Sequence, residues 1–193
     1  MKKIGYLLLL FVSFFASAQR YKIISGSLDN LKGISEYKVV FDYTNLKVID
    51  FATEEDYLKE KMDKRQDKQN KAQVFKQDWY DDRANKYEPK FIEYFNNRFQ
   101  KGELKISKES SSKYIMTVKT NWIYPGYVIE PAKISAIIIV SEEGNSKLPL
   151  LAIAFEKVIG IEYNAYNGNQ GYRIAGAYEK LAKVVTIQLK RIL

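Results

Sequence analysis

The chain has no cysteine and no histidine in its 193 residues. Without cysteine there is no disulfide, no thiolate nucleophile and no cysteine-ligated metal. The acylated cysteine of a bacterial lipoprotein is missing too, so no covalent membrane anchor is expected. Without histidine the chain loses the commonest general base, the Ser-His and Cys-His nucleophile pairs and the commonest zinc ligand. No Gly-rich phosphate loop, G-x-S-x-G or H-E-x-x-H occurs. There is also no internal repeat, no Pro-rich linker and no boundary that marks a second domain. Neither a cofactor nor a metal site is expected.

What is present begins at the amino end. Lys2 and Lys3 precede an apolar run over residues 4–15, followed by Ala16-Ser17-Ala18. A charged start, a short apolar stretch and a small-x-small site form a secretory signal peptide in the right order. The run is too short to span a bilayer. The expectation is a signal peptide over 1–18 and a single mature domain over 19–193, periplasmic or secreted. Lys2 and Lys3 leave with the leader, so 29 basic residues face 23 acidic ones in the mature chain. That excess bears on association with polyanions such as acidic glycans and does not fix a function. A secreted chain without disulfides must be held by its core, and 14 Tyr, 7 Phe and 2 Trp after residue 18 suit that task.

Along the mature chain, residues 21–27 (YKIISGS) and 37–43 (YKVVFDY) read as strands, with a short extension at 46–49. Thr53-Glu54-Glu55-Asp56 is an N-cap with acids in the first turn of a helix. Tyr57, Leu58 and Met62 make that helix amphipathic. Residues 63–71 (DKRQDKQNK) hold no apolar side chain and read as a solvated segment. Val74, Phe75, Trp79 and Tyr80 resume a helical spacing. Pro89 is expected in the first turn of a new helix, whose stripe is Phe91, Ile92, Phe95 and Phe99 and whose stop is Gly102. Strands follow at 104–107, 114–122 and 132–140, with a hairpin turn at Glu143-Gly144-Asn145 into a strand over 150–158. Residues 172–193 form a last amphipathic helix with Ile174, Tyr178, Leu181, Val185 and Ile192 on its apolar face. This order predicts an α+β two-layer sandwich, a mixed, mostly antiparallel sheet with helices on one face.

Four segments carry a resemblance. They are Val39-Val40-Phe41-Asp42-Tyr43-Thr44, Tyr87-Glu88-Pro89-Lys90-Phe91, residues 113–120 (KYIMTVKT), and the ending from Gly171-Tyr172-Arg173-Ile174. Together they resemble uncharacterised secreted proteins of Bacteroidetes-type bacteria across most of the mature chain. The element order is also distantly similar to the amino-terminal domain of TolB and to curli-transport (CsgG-like) lipoproteins. Those are envelope assembly modules, so the resemblance implies an envelope role without catalysis. The lipidated cysteine of the lipoproteins has no counterpart here.

The best candidate site is the loop 162–171 (EYNAYNGNQG) just before the last helix. Tyr163 and Tyr166 offer faces for sugar rings, and Asn164, Asn167 and Asn169 offer donors and acceptors for hydroxyls. Arg173 in the first helical turn could hold a carboxylate or phosphate. Asp78, Asp81 and Asp82 have side chains that suit a hard cation, but on a helix they read as a solvated acidic face. Asp42 and Glu130 are the carboxylates a small hydrolase would use, at a separation of roughly 5–10 Å. Nucleic acid is not an expected partner, because no basic stripe interleaves with the aromatics.

The expected function is a non-enzymatic binding or scaffolding role in the cell envelope, with another envelope protein or a glycan as partner. The alternative is a small carbohydrate- or peptidoglycan-active hydrolase using Asp or Glu. A hydrolase would show two converging carboxylates in a pocket, and a binding module an apolar patch or open sheet edge. Mass spectrometry of the exported protein should find Gln19 as its first residue. A mature protein that keeps residues 1–18 would contradict the leader and the address together.

Overall fold

The computed structural model describes residues 20–66, 70–127, 130–145, 148–160 and 168–193. The proposed leader lies outside them. The described residues form one seven-stranded mixed sheet with helices on one face, which is the α+β architecture expected.

β1 (Tyr21–Gly26), β2 (Glu36–Asp42) and β3 (Lys47–Val48) come first. A 3-10 turn over Leu28–Leu31 links the first two. α1 (Glu54–Asp63), α2 (Lys71–Asp82) and α3 (Glu88–Asn97) follow. β4 (Lys105–Ser107), β5 (Tyr114–Tyr124), β6 (Lys133–Glu142) and β7 (Leu151–Ile159) complete the sheet. α4 (Gln170–Leu189) closes the fold. The strand order is β1-β7-β6-β5-β2-β4, with β3 also on β5. β5, β6, β7 and β1 pair antiparallel, whereas β2, β3 and β4 join in parallel. The parallel joins follow from connectivity, because the chain leaves the sheet after β3 and returns at β4 only after crossing through α1 to α3.

Register puts one apolar set on the helix side. Phe41, Val118, Ile138 and Ile153 stand in one row, and Val39, Met116, Val140 and Leu151 in the next. All but Phe41 are buried, as alternation in a half-covered sheet requires. The opposite face carries Thr117, Lys119, Ile137 and Ile139, all half-buried. β1 is an open edge, with Ile23 and Ile24 exposed.

Several element ends differ from expectation, among them the end of α3, which stops at Asn97 rather than at Gly102. Pro89 does not open a separate helix. α2 passes through a π-helical stretch, Arg83–Tyr87, directly into α3. Pro89 has no N–H to give an α-helical partner, and the wider turn lets the Glu88 N–H bond to the Arg83 carbonyl instead. α4 begins earlier than expected, at Gln170, and ends at Leu189. Ile192 packs against the core from a turn beyond it.

α4 lies on β6 and β7 with α3 at its flank. Ala175, Gly176 and Ala177 are small enough to bring its backbone close to the strand end at Gly160. Leu181 and Tyr178 are fully buried beneath it. The Tyr178 ring stacks on Tyr87 at 5.3 Å, and its hydroxyl shares a 2.6 Å hydrogen bond with Thr120 on β5. Leu181→Ala should therefore lower unfolding stability by about 2–5 kcal/mol, through lost transfer energy and the cavity left behind. Denaturant unfolding checks this. A loss below about 1 kcal/mol would contradict the packing described.

Candidate functional site

A cleft of ≈330 Å³ opens where three remote segments meet. α1 and the turn that follows it supply Tyr57, Lys61, Lys64 and Arg65. The end of β5 and the turn after it supply Tyr124, Pro125, Gly126 and Tyr127. The first turn of α4 supplies Gln170 and Arg173, and Ile49 adds an apolar wall. Ligand clefts run to roughly 300–1,000 Å³, so the size suits a small group or part of a polymer.

Each wall is fixed locally. α1 starts because Thr53 accepts from the Asp56 N–H at 3.1 Å and Glu54, Glu55 and Asp56 occupy its positive end. Trp79 Nε1 and Arg83 both donate to the Glu54 carboxylate, which ties that end to α2. Tyr57, four residues before Lys61, is buried against Trp79 at 5.0 Å between ring centres. Tyr57, Lys61, Lys64 and Arg65 therefore share one side of the turn and deliver three cations to one place.

The second wall depends on Gly126. Its φ is +72°, and a Cβ there would stand 2.5 Å from the Glu130 carbonyl oxygen. Only glycine fits both constraints. The turn is held by bonds between Tyr127 and Glu130, N–H to carbonyl in each direction, at 2.9 and 3.2 Å. Arg173 clamps it from the helix side. Its Nε donates to the Pro125 carbonyl at 3.2 Å and its Nη2 to the Gly126 carbonyl at 3.3 Å.

The third wall is the start of α4. Gly171 sits there against α2, where a Cβ would come within 1.8 Å of Asp82 Oδ2. Asp82 in turn pairs with Lys86 at 2.5 Å. The Tyr57 hydroxyl donates to Gln170 Oε1 at 2.9 Å, across the cleft floor.

The electrostatics are one-sided. Lys61, Lys64, Arg65 and Arg173 line the cleft, and no acidic residue does so among the described residues. Glu60 outside it bonds Lys64 at 2.6 Å and Lys61 at 3.3 Å. Arg65 stacks on the Phe75 ring at 4.2 Å and caps the Lys61 carbonyl at 2.7 Å. Burial presses the Arg173 guanidinium below its ordinary pKa, and Tyr57 and Tyr124 offset part of this. At the rim, partial burial and the bond to Glu130 push the Tyr124 hydroxyl up to about 12.

The residues expected from the sequence are placed unevenly. Arg173 lines the cleft. Asn169 is the N-cap of α4, its Oδ1 accepting from the Gly171 and Tyr172 N–H groups at 2.8 and 3.3 Å. Tyr163, Asn164, Tyr166 and Asn167 lie outside the described residues. Asp82 does not belong to a solvated face. It is 8 % exposed, because the packing of Gly171 and Lys86 covers it. Burial, only partly countered by Lys86, raises its pKa. Among the described residues no three Asp, Glu, His or Cys side chains gather as a metal site. No described helix is long and apolar enough to cross a membrane.

Asp42 and Glu130 are not brought together. Asp42 accepts from the Thr44 N–H and hydroxyl at 2.8 and 2.7 Å and pairs with Lys119. Glu130 accepts from Tyr124 at 2.5 Å and from Lys133 at 2.7 Å. Lys119 and Tyr124 are about 16 Å apart along β5 at the usual rise per residue. Burial pushes Asp42 up, but the bonds from Thr44 and Lys119 outweigh it, and both carboxyls end below their ordinary ranges.

Gln170 belongs to the expected loop, whereas Tyr57, Lys61, Lys64, Arg65, Tyr124 and Tyr127 are not site residues by sequence alone. The spacing of Tyr57, Lys61, Lys64 and Arg65, i, i+4, i+7 and i+8, was a legible sign. Comparison of the chain with protein families, curated proteins and solved structures finds no match.

The bonds from Lys133 and then Tyr124 that lower Glu130 give a pH test. A carboxyl that stays charged to lower pH when folded lends stability above the ordinary glutamate pKa. That stability disappears as pH falls through the folded value. Carbon-13 NMR should find Glu130 titrating below model glutamate, and Tyr124→Phe should raise it. An ordinary pKa in the wild-type chain would contradict the rim geometry.

Proposed function

We propose that the chain is a non-enzymatic binding protein of the cell envelope, working in the periplasm or outside the cell after loss of residues 1–18. Its ligand or partner group enters the cleft between α1, α4 and the β5–β6 turn. The observation that carries this reading is the lining itself: four cations and three tyrosines without a carboxylate among the described residues. Such a wall attracts and orients an anion, but it offers no general acid or base of suitable pKa near neutral pH. Burial pushes the Tyr57 hydroxyl well above its ordinary pKa, which takes it further from general-base use.

A hydrolase using Asp42 and Glu130 finds less support. A retaining or inverting glycosidase needs one carboxyl raised and both close together. Here both are lowered and held at separate stations along β5. The open edge of β1 and its exposed Ile23 and Ile24 favour a binding module as well, since such an edge can accept a partner strand. The likeness to envelope assembly modules belongs to the same proposal.

Co-purification of the mature chain from its own envelope should retain a glycan or an envelope protein. Incubation with envelope polysaccharide or peptidoglycan should release no new reducing ends. Release that Glu130→Gln or Asp42→Asn abolishes would overturn the reading in favour of the hydrolase.

A further inference from the structure

Resting on the reading of the cleft as a binding site, we propose that it recognises an acidic glycan. One sugar ring would lie on Tyr127, and its anionic group, a uronate carboxylate or a sugar phosphate, would sit among Lys61, Lys64 and Arg173.

Charge is the first argument. Lys61 and Lys64 share the single carboxylate of Glu60, and Arg65 has no carboxylate partner among the described residues. The cleft thus keeps an excess of positive charge between walls that reduce solvent screening. An entering anion would also offset the desolvation that weakens Arg173.

The ring is the second argument. Tyr127 is 62 % exposed, so its ring face is open to a ligand. It is held at 6.0 Å, edge to face, by Tyr124, whose own hydroxyl is anchored on Glu130. An oriented and exposed ring beside a cationic cluster fits a ligand with an apolar face and a charge a few ångströms away. A bare inorganic anion would use only the cations. The third argument is hydrogen bonding. Gln170 Oε1 already accepts from Tyr57, so its amide N–H groups are the donors left for a hydroxyl or carboxylate oxygen.

The test uses the mature full-length chain and calorimetric titration at low salt. The probes are tetragalacturonate, its neutral methyl ester, glucose 1-phosphate, inorganic phosphate and an eight-residue oligothymidylate. Tetragalacturonate or glucose 1-phosphate should bind, and which of them is tighter decides between carboxylate and phosphate. The methyl ester should bind at least tenfold more weakly than the acid, the change that one charge-assisted hydrogen bond carries. The double variant Lys61→Gln, Lys64→Gln should lose about tenfold as well. Tyr127→Ala should weaken the sugars while leaving the weak binding of inorganic phosphate unchanged. These sites are at the surface, so unaltered thermal melting will show that both variants fold. Arg173→Lys, which keeps the charge and loses the planar fork, should weaken binding without abolishing it.

Equal affinity for the acid and its ester would overturn recognition of charge while leaving a glycan-binding protein in place. Acid binding unaffected by the double variant or by Tyr127→Ala would overturn the cleft as the site. Tighter binding of oligothymidylate than of either sugar would overturn the glycan. Failure of both anionic sugars to bind would overturn the inference outright. The envelope co-purification described above would still report on the broader reading.

Discussion

The seating of α4 on the sheet is the constraint on which the rest of the structure depends. Tyr178 is its pin. The ring is fully buried and stacked on Tyr87, and the hydroxyl is satisfied by Thr120 in the middle of β5. A buried phenol left without a partner costs more than a made hydrogen bond contributes, so the contact specifies one rotation of the helix rather than merely favouring burial. With that rotation fixed, Leu181 and Val185 face the sheet and Gln170 and Arg173 emerge at the cleft. The helix that completes the core thereby places the cleft side chains Gln170 and Arg173.

The absence of disulfides makes this division of labour clearer. Stability has to come from apolar burial, and the rings supply it: Phe91, Phe95 and Phe99 run in contact along α3 and beyond it, and Phe41 meets Phe91 edge-on at 5.7 Å. Three carboxylates that enter the helical layer are paired, while the buried hydroxyls of Tyr37 and Tyr87 have no hydrogen-bond partner among the described residues. Glu54 serves Trp79 and Arg83, Glu88 serves Lys108 and Tyr43, and Asp82 serves Lys86. Acids are thus consumed inside the helical layer. In the cleft the balance reverses: its lining holds four cations and, among the described residues, no acid.

The sequence was most informative where structure is local. The cap at Thr53, the alternation in residues 114–122 and the hairpin around Gly144 need only neighbouring residues to be understood, and each is formed as expected. Pro89 was read as the start of a helix because a missing N–H is harmless there. The chain found a second solution, a π turn that removes the need for the N–H inside a continuous rod. The cleft was illegible for a different reason. Its walls come from residues 57–65, 124–127 and 170–173, and only the sheet and α4 bring them together. Arg173 adjoins the loop that the sequence marks, whereas Lys61 lies within α1 and Lys64 and Arg65 in the polar stretch after it. That Tyr57, Lys61, Lys64 and Arg65 fall on one helical side was visible, but what they face was not.

Amide chemical-shift mapping with tetragalacturonate tests the central claim most directly. The account predicts perturbations that cluster on residues 61–65, 124–127 and 170–173, with little change along β1 or on the open face of the sheet. Perturbations confined to β1, or to Thr117, Ile137 and Ile139 on the open face, would contradict it.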